Sequence, residues 1–273
     1  MIGKKTSKLD SKKRYLQIAL NSTLKEAGSI ISQLPVSDRI LVEAGTPFIK
    51  RYGVEGIKQL KKLYTLRIAG EKIHGQLEEF PVQGFGGLSV FFSKLAELNR
   101  QSQPASQKLQ FKLPFNPYVV ADLKMMDRGA TEVEIAQDGG ADAAVALGHA
   151  PIESLDAFIA HCSDVGLDSM IDMMNVEFPL SVLRKLKSPP NVVLLHRGVD
   201  EEHYNRQKQL PLHEIRRIKS NYDTLIAIAG GDTHREVQSA IFNDADIVVV
   251  WKSFFHSTQH TAQLAEEFLR EIK

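Results

Sequence analysis

The sequence predicts a single (β/α)8 barrel, the TIM-barrel fold. Short β-branched apolar runs alternate with helical segments along the 273 residues, and this alternation is typical of a parallel sheet with crossover helices. The length suits one barrel domain, since such barrels commonly reach about 250 residues without dividing into separate cores. Ionisable residues also collect at the ends of several apolar runs, where the loops of a barrel assemble active sites.

Eight apolar runs are predicted as strands, and eight parallel strands favour closure into a barrel. Most of them carry apolar residues on both faces, because helices cover the outside of a barrel and packed side chains fill the inside. The predicted strands cover residues 15–20, 40–43, 118–122, 143–147, 169–172, 192–196, 224–229 and 247–251. The polar exceptions at or near their carboxyl ends are Glu43, Asp122, Lys124, Asp172 and His196.

Two segments depart from the regular pattern of the barrel, which we place at residues 15–273. Residues 1–14 form a basic leader that we expect to be solvated. An insertion at about residues 65–117 is longer than a barrel connection needs beyond its helix. It contains a glycine-rich run at 84–87, but no lysine and hydroxyl residue follow at the spacing of a phosphate loop. We therefore expect a mobile lid or an oligomer contact there.

The composition excludes several classes of protein. A formal net charge of +1 and a charged fraction of 25% are ordinary for a globular protein and provide no general field for a polyanion, so we expect no nucleic-acid partner. No apolar run approaches the ~18 residues of a membrane span, so we expect no membrane partner and a cytoplasmic protein. The single cysteine, Cys162, excludes an internal disulfide and is predicted to be a buried or half-buried thiol on a helix.

Asp122 and Lys124 form the motif that most strongly indicates chemistry. They lie two residues apart at a predicted strand end, so their side chains point to the same face and meet in the barrel mouth. An ion pair between them is the purely structural interpretation. Asp127 follows just past the strand, where it either caps the next helix or reaches across a subunit boundary. Taken alone, its position favours capping.

At these positions the sequence resembles the orotidine 5'-monophosphate decarboxylase suprafamily, whose signature is similar to VADLKMMD at residues 120–127. The segment EAGTP at residues 43–47 resembles the second-strand motif of its 3-hexulose-6-phosphate synthase and 3-keto-L-gulonate-6-phosphate decarboxylase branch. The resemblance covers most of the chain outside the leader and the insertion. It implies an enzyme that takes a small-molecule substrate, a sugar phosphate, and forms a homodimer with shared active sites.

The resemblance also implies roles for the polar strand ends. Glu43 and Asp122 bind Mg2+, which agrees with the preference of this ion for carboxylate oxygens. Lys124 stabilises a 1,2-enediolate intermediate, because an oxyanion needs fixed positive charge. His196 moves a proton, for which an imidazole with a pKa near neutrality is suited. A core or helix-capping histidine is the alternative.

Three further residues take their roles from the same resemblance. Asp127 comes from the partner subunit, and Asp172 orients substrate hydroxyls or Lys124. Asn21 stands where the family usually carries an aspartate. An amide keeps the hydrogen-bonding shape of that substrate-binding residue but loses its charge.

The end of the eighth predicted strand departs from the family pattern. Trp251 and Lys252 replace a glycine-arginine pair that holds the substrate phosphate, and an indole cannot imitate glycine. Lys252 still offers a positive charge, while Gly230, Gly231 and Ser253 offer backbone or hydroxyl donors. These four residues are therefore predicted to bind substrate.

Asp232 and Val199 also differ from the family pattern. Asp232 stands where the family generally has an apolar residue, and its carboxylate either repels a phosphate or caps the helix that follows. Val199 stands where the keto-gulonate decarboxylases carry an arginine that assists proton delivery. Its presence favours the synthase side of the branch.

These patterns lead to three hypotheses. The leading one is a Mg2+-dependent carbon-carbon lyase of the hexulose-6-phosphate synthase type, which joins formaldehyde to a ketopentose phosphate, or cleaves the product, through an enediolate. The second is a related decarboxylase or aldolase with a different substrate, bulkier or unphosphorylated. The third is a catalytically silent barrel that binds a metabolite or a protein. The substrate, the reaction direction and the role of the insertion stay open at this point.

Overall fold

The structure is a computed structural model that describes residues 7–71, 113–205 and 207–273. Eight parallel strands follow one another in chain order and close into a barrel, which confirms the predicted fold class. The strands are β1 (Tyr15–Leu20), β2 (Ile40–Ala44), β3 (Val119–Met125), β4 (Ala143–Leu147), β5 (Asp168–Asp172), β6 (Val192–His196), β7 (Leu225–Ala229) and β8 (Ile247–Val250).

Helices follow the strands and cover the barrel. They are α1 (Leu24–Gln33), α2 (Thr46–Ile68), α3 (Gly129–Asp138), α4 (Ile152–Val165), α5 (Pro179–Leu183), α6 (Val199–Tyr204), α7 (His213–Lys219), α8 (His234–Phe242), α9 (Lys252–His256) and α10 (Thr261–Glu271).

Alternate residues of each strand pack on opposite sides of the sheet. Leu41, Val120 and Met170 belong to a buried cluster that fills the barrel interior. Val42 and Ile171, each one position away, belong to the larger cluster between the sheet and the helices. Because both faces are buried, the strands read as continuous apolar runs in the sequence.

Local residues set several helix ends. Thr23 caps α1 by accepting a hydrogen bond from the Glu26 N–H at 3.2 Å. Thr233 and Glu236 form a capping box at the start of α8. Gly166 ends α4 with φ of +80°, a left-handed conformation that glycine adopts without strain. These signals are local, so the sequence predicts the alternation of helices and strands well.

The described part of the basic leader is less solvated than the sequence predicts. Leu9 is buried with the residues of the barrel interior, and Ser7 Oγ donates to Asp168 Oδ2 at 2.9 Å. Tyr118 donates to the same carboxylate oxygen at 2.7 Å. Residues 7–9 are therefore not a solvated tail. They close the amino-terminal end of the barrel, because Leu9 is apolar and the buried Asp168 needs donors.

The predicted boundaries shift at β3 and at the insertion. β3 continues to Met125, past the predicted end at residue 122, and its pairing with β4 shifts in register between Ala121 and Met125. β8 ends at Val250, so Trp251 lies just beyond it. The first residues assigned to the insertion at 65–117 belong to α2, which ends at Ile68. The glycine-rich run at 84–87 lies outside the described residues.

Two expectations from composition concern the described part of the chain. Cys162 is fully buried in α4, and burial raises the pKa of its thiol, which confirms a buried cysteine. Within residues 7–71, 113–205 and 207–273, no helix is both long and apolar enough to cross a membrane. A cytoplasmic location stays a prediction.

Candidate active site

The carboxyl end of β3 has an unusual backbone. Lys124 has φ of +46°, in the left-handed region that residues with a side chain rarely adopt. Such a conformation costs about 1–3 kcal/mol and persists only where the surrounding structure stabilises it. It coincides with the register shift between β3 and β4, and it places the ammonium group of Lys124 beside the carboxylate of Asp122, with 3.1 Å between Nζ and Oδ2.

Lys124 is held by carboxylates from two strands. Its Nζ lies 2.8 Å from Oδ2 of Asp172, at the end of β5, as well as 3.1 Å from Oδ2 of Asp122. Burial is the largest influence on the pKa of Lys124 and lowers it, but the two carboxylates together outweigh burial and raise this pKa. Lys124 is therefore a fixed ammonium cation at neutral pH, which makes it unsuited to act as a base.

Asp172 connects Lys124 to His196. The same Oδ2 that contacts Lys124 lies 2.8 Å from Nδ1 of His196, and Oδ1 accepts a hydrogen bond from the Met174 N–H at 2.8 Å. Asp172 is fully buried, and burial raises its pKa, but His196 and Lys124 reverse that effect and lower the pKa to about 2. The carboxylate of Asp172, charged at neutral pH, accepts a hydrogen bond from Nδ1–H of His196 and so orients the imidazole ring.

The pKa of His196 responds to the same neighbours. Burial, the largest influence, lowers it, but the carboxylate of Asp172 outweighs burial and the pKa is raised. The ring is hydrogen-bonded to Asp172 at the carboxyl ends of the strands, so His196 does not cap a helix, and its part in proton transfer stays a prediction.

Glu43 and Asp122 lie on neighbouring strand ends in a buried setting. Gln17 Nε2 donates to Glu43 Oε2 at 2.5 Å, and Thr46 Oγ1 donates to Asp122 Oδ2 at 2.9 Å. Burial and the negative charge of Asp122 raise the pKa of Glu43 to about 7. The two carboxylates therefore repel each other where water cannot screen them.

This arrangement fits a divalent cation. Asp122 Oδ1 and Gln17 Oε1 are buried and have no hydrogen-bond partner among the described residues. Unpartnered buried oxygens beside two carboxylates are the ligand type that Mg2+ prefers, with water and substrate completing its coordination. The described ranges hold no group of three or more His, Cys, Asp or Glu side chains placed to bind a metal. The candidate set is therefore Glu43 and Asp122, with the Gln17 carbonyl beside them.

Asn21 and Asp127 lie around this centre. Asn21 follows β1, and a Cβ at position 45 would lie 1.9 Å from its Oδ1, so only glycine fits at residue 45. Asp127 is exposed, with 3.5 Å between its Oδ1 and Ser154 Oγ. The N-cap position of α3 belongs to Arg128, so the helix-capping interpretation of Asp127 is wrong.

The β7 and β8 ends look different from the expected phosphate site. Gly230 has φ of +89°, and a Cβ there would lie 2.1 Å from the carbonyl oxygen of Arg197. Lys252 Nζ lies 2.6 Å from Glu202 Oε2, and Ser253 Oγ donates to the backbone carbonyl of Asp232 at 2.8 Å. The side chains of Lys252 and Ser253, both predicted to bind substrate, are thus already paired within the chain. Gly231 is buried, and a Cβ there would lie 2.7 Å from Leu210.

Asp232 itself does not cap α8, because Thr233 takes that position. Its Oδ1 instead accepts a hydrogen bond from the backbone N–H of Trp251 at 2.7 Å. The capping expectation for Asp232 is therefore wrong.

A family model described as "Orotidine 5'-phosphate decarboxylase / HUMPS family" matches residues 115–266, which is more than half of the chain. The chain belongs to this family. The match includes β3 through β8 and so contains Asp122, Lys124, Asp172 and His196.

Two curated proteins are similar in sequence to nearly the whole of this chain. "Bifunctional enzyme Fae/Hps" of Methanosphaera stadtmanae is 33% identical over 264 residues, covering 94% of this chain and 52% of the relative. Its counterpart in Methanocella arvoryzae is 31% identical, covering 95% of this chain and 53% of the relative. The chain thus spans about half the length of these curated relatives.

Solved structures share the fold. The 3-hexulose-6-phosphate synthase from Salmonella typhimurium has a TM-score of 0.67 at 22% identity, covering 94% of this chain and 98% of that one. The KGPDC from Streptococcus mutans has a TM-score of 0.63 at 16% identity, covering 95% and 97%. At these identities the likeness establishes the barrel.

Three residues of the site in this family member were not singled out from the sequence. Gln17 was identifiable as a lone polar residue within the apolar run of β1, where it is 1% exposed. Thr46 lies in the EAGTP segment, but nothing in that segment indicates a bond to Asp122. Arg197 follows His196, and its pairing with Glu236 at 2.8 Å depends on the folded structure.

Proposed function

We propose that this member of the orotidine 5'-phosphate decarboxylase / HUMPS family is a carbon-carbon lyase of the hexulose-6-phosphate synthase type. It joins formaldehyde to a ketose, or cleaves the product, through an enediolate. The sequence-based hypothesis names a ketopentose phosphate as the ketose. The observation that carries the proposal is the ammonium of Lys124, held between Asp122 and Asp172 with Glu43 and His196 beside them.

The charges of this cluster match the needs of an enediolate. Removing a proton from the carbon next to a ketone leaves negative charge on oxygen, and a preorganised cation stabilises that charge. Lys124 supplies the cation, and its raised pKa keeps it protonated throughout. The proton therefore moves through another group, and His196 is suited because Asp172 fixes its ring through Nδ1.

Glu43 and Asp122 are the residues that we propose hold Mg2+. The bound ion would supply Lewis acidity where negative charge develops on the substrate. Gln17 and Thr46 support the proposal because each donates a hydrogen bond to one of the two carboxylates and so orients it.

We further propose a homodimer with shared active sites. Asp127 reaches the partner's site in this arrangement, which is compatible with its exposure just beyond β3. Met126 beside it is apolar and 44% exposed, so a partner chain at this place would bury apolar surface.

Lys124→Ala tests the proposed chemistry. Condensation of formaldehyde with ketopentoses, phosphorylated and unphosphorylated, is measured with and without Mg2+. Wild type should turn over one of these ketoses, and Lys124→Ala should lower kcat/KM by about 10^3-fold, since it removes the charge that stabilises the transition state. Lys25→Ala, at an exposed lysine of α1, is the matched control and should leave kcat/KM unchanged.

Two outcomes would contradict the proposal. Turnover that survives in Lys124→Ala would remove this residue from the chemistry. Absence of turnover in wild type with every ketose, in the presence of Mg2+, would favour the catalytically silent barrel.

A further inference from the structure

The loops after β7 and β8 have the components of an anion site. In TIM barrels these loops, with the start of a short extra helix, frequently bind a phosphate group. Here α9 is such a short helix and follows β8 directly. Gly230 follows β7 with φ of +89°, where the backbone passes against Arg197. Whether a phosphate fits therefore depends on which groups already accept hydrogen bonds from the backbone N–H donors here.

A carboxylate of the chain itself occupies the backbone donors that follow β8. Asp232 Oδ1 accepts the backbone N–H of Trp251 at 2.7 Å, and the backbone N–H of Lys252 also donates to this carboxylate. Burial raises the pKa of Asp232, and the two N–H donors oppose that rise because they stabilise the charged form. Ser253 Oγ binds the backbone carbonyl of the same residue at 2.8 Å and fixes its position.

The nearby cations are paired as well. Arg197 Nη2 lies 2.8 Å from Glu236 Oε1 and 3.8 Å from Glu202 Oε1. Lys252 Nζ lies 2.6 Å from Glu202 Oε2. Together with Asp232, these two carboxylates outnumber the two cations. A phosphate dianion would have to displace a carboxylate and would add to an existing negative excess.

We propose that Asp232 is a specificity-determining residue that excludes a phosphate group from the ends of β7 and β8, so that the ketose has an uncharged, hydroxyl-bearing end there. The inference rests on the proposed function and names the substrate class of that same site. Asp232 accepts backbone hydrogen bonds that a substrate phosphate would otherwise accept.

Trp251 fits an uncharged end. Its ring lies beside the residues that fill the barrel interior and 5.9 Å from the ring of Phe255, centroid to centroid. Its indole Nε1 is buried and has no hydrogen-bond partner in the described part of the chain. A hydroxyl oxygen would satisfy this donor without adding charge, so the indole is compatible with an uncharged end, while the excess of carboxylates disfavours a phosphate.

Calorimetric titration with inorganic phosphate tests the inference without turnover. Wild type should bind phosphate weakly, and Asp232→Ala should bind it at least about tenfold more tightly, because the amides of Trp251 and Lys252 are then released and a negative charge is lost. Asp232→Asn removes the charge but keeps the shape, and it should give a smaller gain. Asp200→Asn, at an exposed carboxylate of α6, should match wild type.

The opposite result overturns the proposal: tight phosphate binding by wild type, or binding unchanged in folded Asp232→Ala and Asp232→Asn. Melting temperatures identify the folded variants, and the Asn variant alone decides if the Ala variant does not fold.

Turnover measurements provide a second test of the role of Asp232. The ratio of kcat/KM for a ketopentose to that for its 5-phosphate should favour the unphosphorylated ketose in wild type and shift toward the phosphate in Asp232→Ala. A wild type that prefers the 5-phosphate overturns the inference while supporting the proposed lyase. A protein with no turnover contradicts the lyase, and the phosphate titration still decides the role of Asp232.

Discussion

Asp172 has the largest number of partners in the described cluster around Lys124. Its two oxygens contact an ammonium, an imidazole and a backbone N–H, and no part of it is exposed. Such a carboxylate is stabilised in its charged form only while the protein is folded. Its pKa of about 2, below the ordinary 3.8, expresses this preference. The protonation of Asp172 is therefore linked to folding.

Asp172→Asn should change how stability depends on pH. Because the folded pKa is depressed, the contribution of Asp172 is present above the unfolded pKa and is lost as pH falls through the folded value. Wild type should lose roughly 2 kcal/mol of unfolding free energy between about pH 5 and pH 2 that Asp172→Asn does not lose. Urea unfolding across this range measures it. Asp200→Asn should follow wild type, and parallel curves for all three proteins would contradict the assignment.

A buried amide in the middle of β1 contacts the carboxyl end of β2. Gln17 interrupts an otherwise apolar strand, and its amide nitrogen donates to Glu43 on β2, the neighbouring strand. This hydrogen bond favours the charged form of Glu43, opposing burial and Asp122. Gln17 thus orients a proposed metal ligand from an adjacent strand.

Gln17→Leu should weaken Mg2+ binding by about tenfold, because residues that orient metal ligands typically have effects of this size. Calorimetric titration with Mg2+ measures the affinity directly and does not depend on turnover. Gln137→Leu, at an exposed glutamine of α3, should bind as wild type does. Equal affinities for the two variants would show that Gln17 has no part in holding the ion.

The closed barrel brings the strand ends into one mouth and leaves Asp127 exposed beside it. A homodimer with shared sites would explain why this aspartate contacts no residue of the Lys124 cluster among the described hydrogen bonds. In such a dimer each site combines Lys124 of one chain with Asp127 of the other.

Mixing two inactive variants tests this assembly. Light scattering should show twice the mass of one chain. Lys124→Ala and Asp127→Ala should each lose activity, and their refolded mixture should recover about a quarter of wild-type activity, since half of the dimers are mixed and each has one intact site. If Asp127 acts within its own chain, the mixture stays inactive. A single-chain mass would also contradict the proposal.

Much of the fold was predictable because its signals are local. The apolar runs of β4, β6 and β7 predicted strands at nearly their observed bounds, since both faces of a barrel strand are buried. The strand ends Glu43, Asp122, Lys124, Asp172 and His196 were identifiable because polar residues are costly inside such runs unless they have partners. Their convergence follows from the parallel sheet alone.

Only the tertiary structure decided several of the pairings. Gln17 donates to Glu43 across 26 residues of sequence, and Asp232 meets Trp251 across 19. Leu9 belongs to a basic segment and yet is buried, because the barrel leaves an open amino-terminal end for it to fill. The sequence by itself determined the barrel, its family and the motif of Asp122 and Lys124. The sequence did not determine that Asp232 accepts the backbone N–H of Trp251, just beyond β8. This contact forms only when the strands close, because distant residues become neighbours at that step.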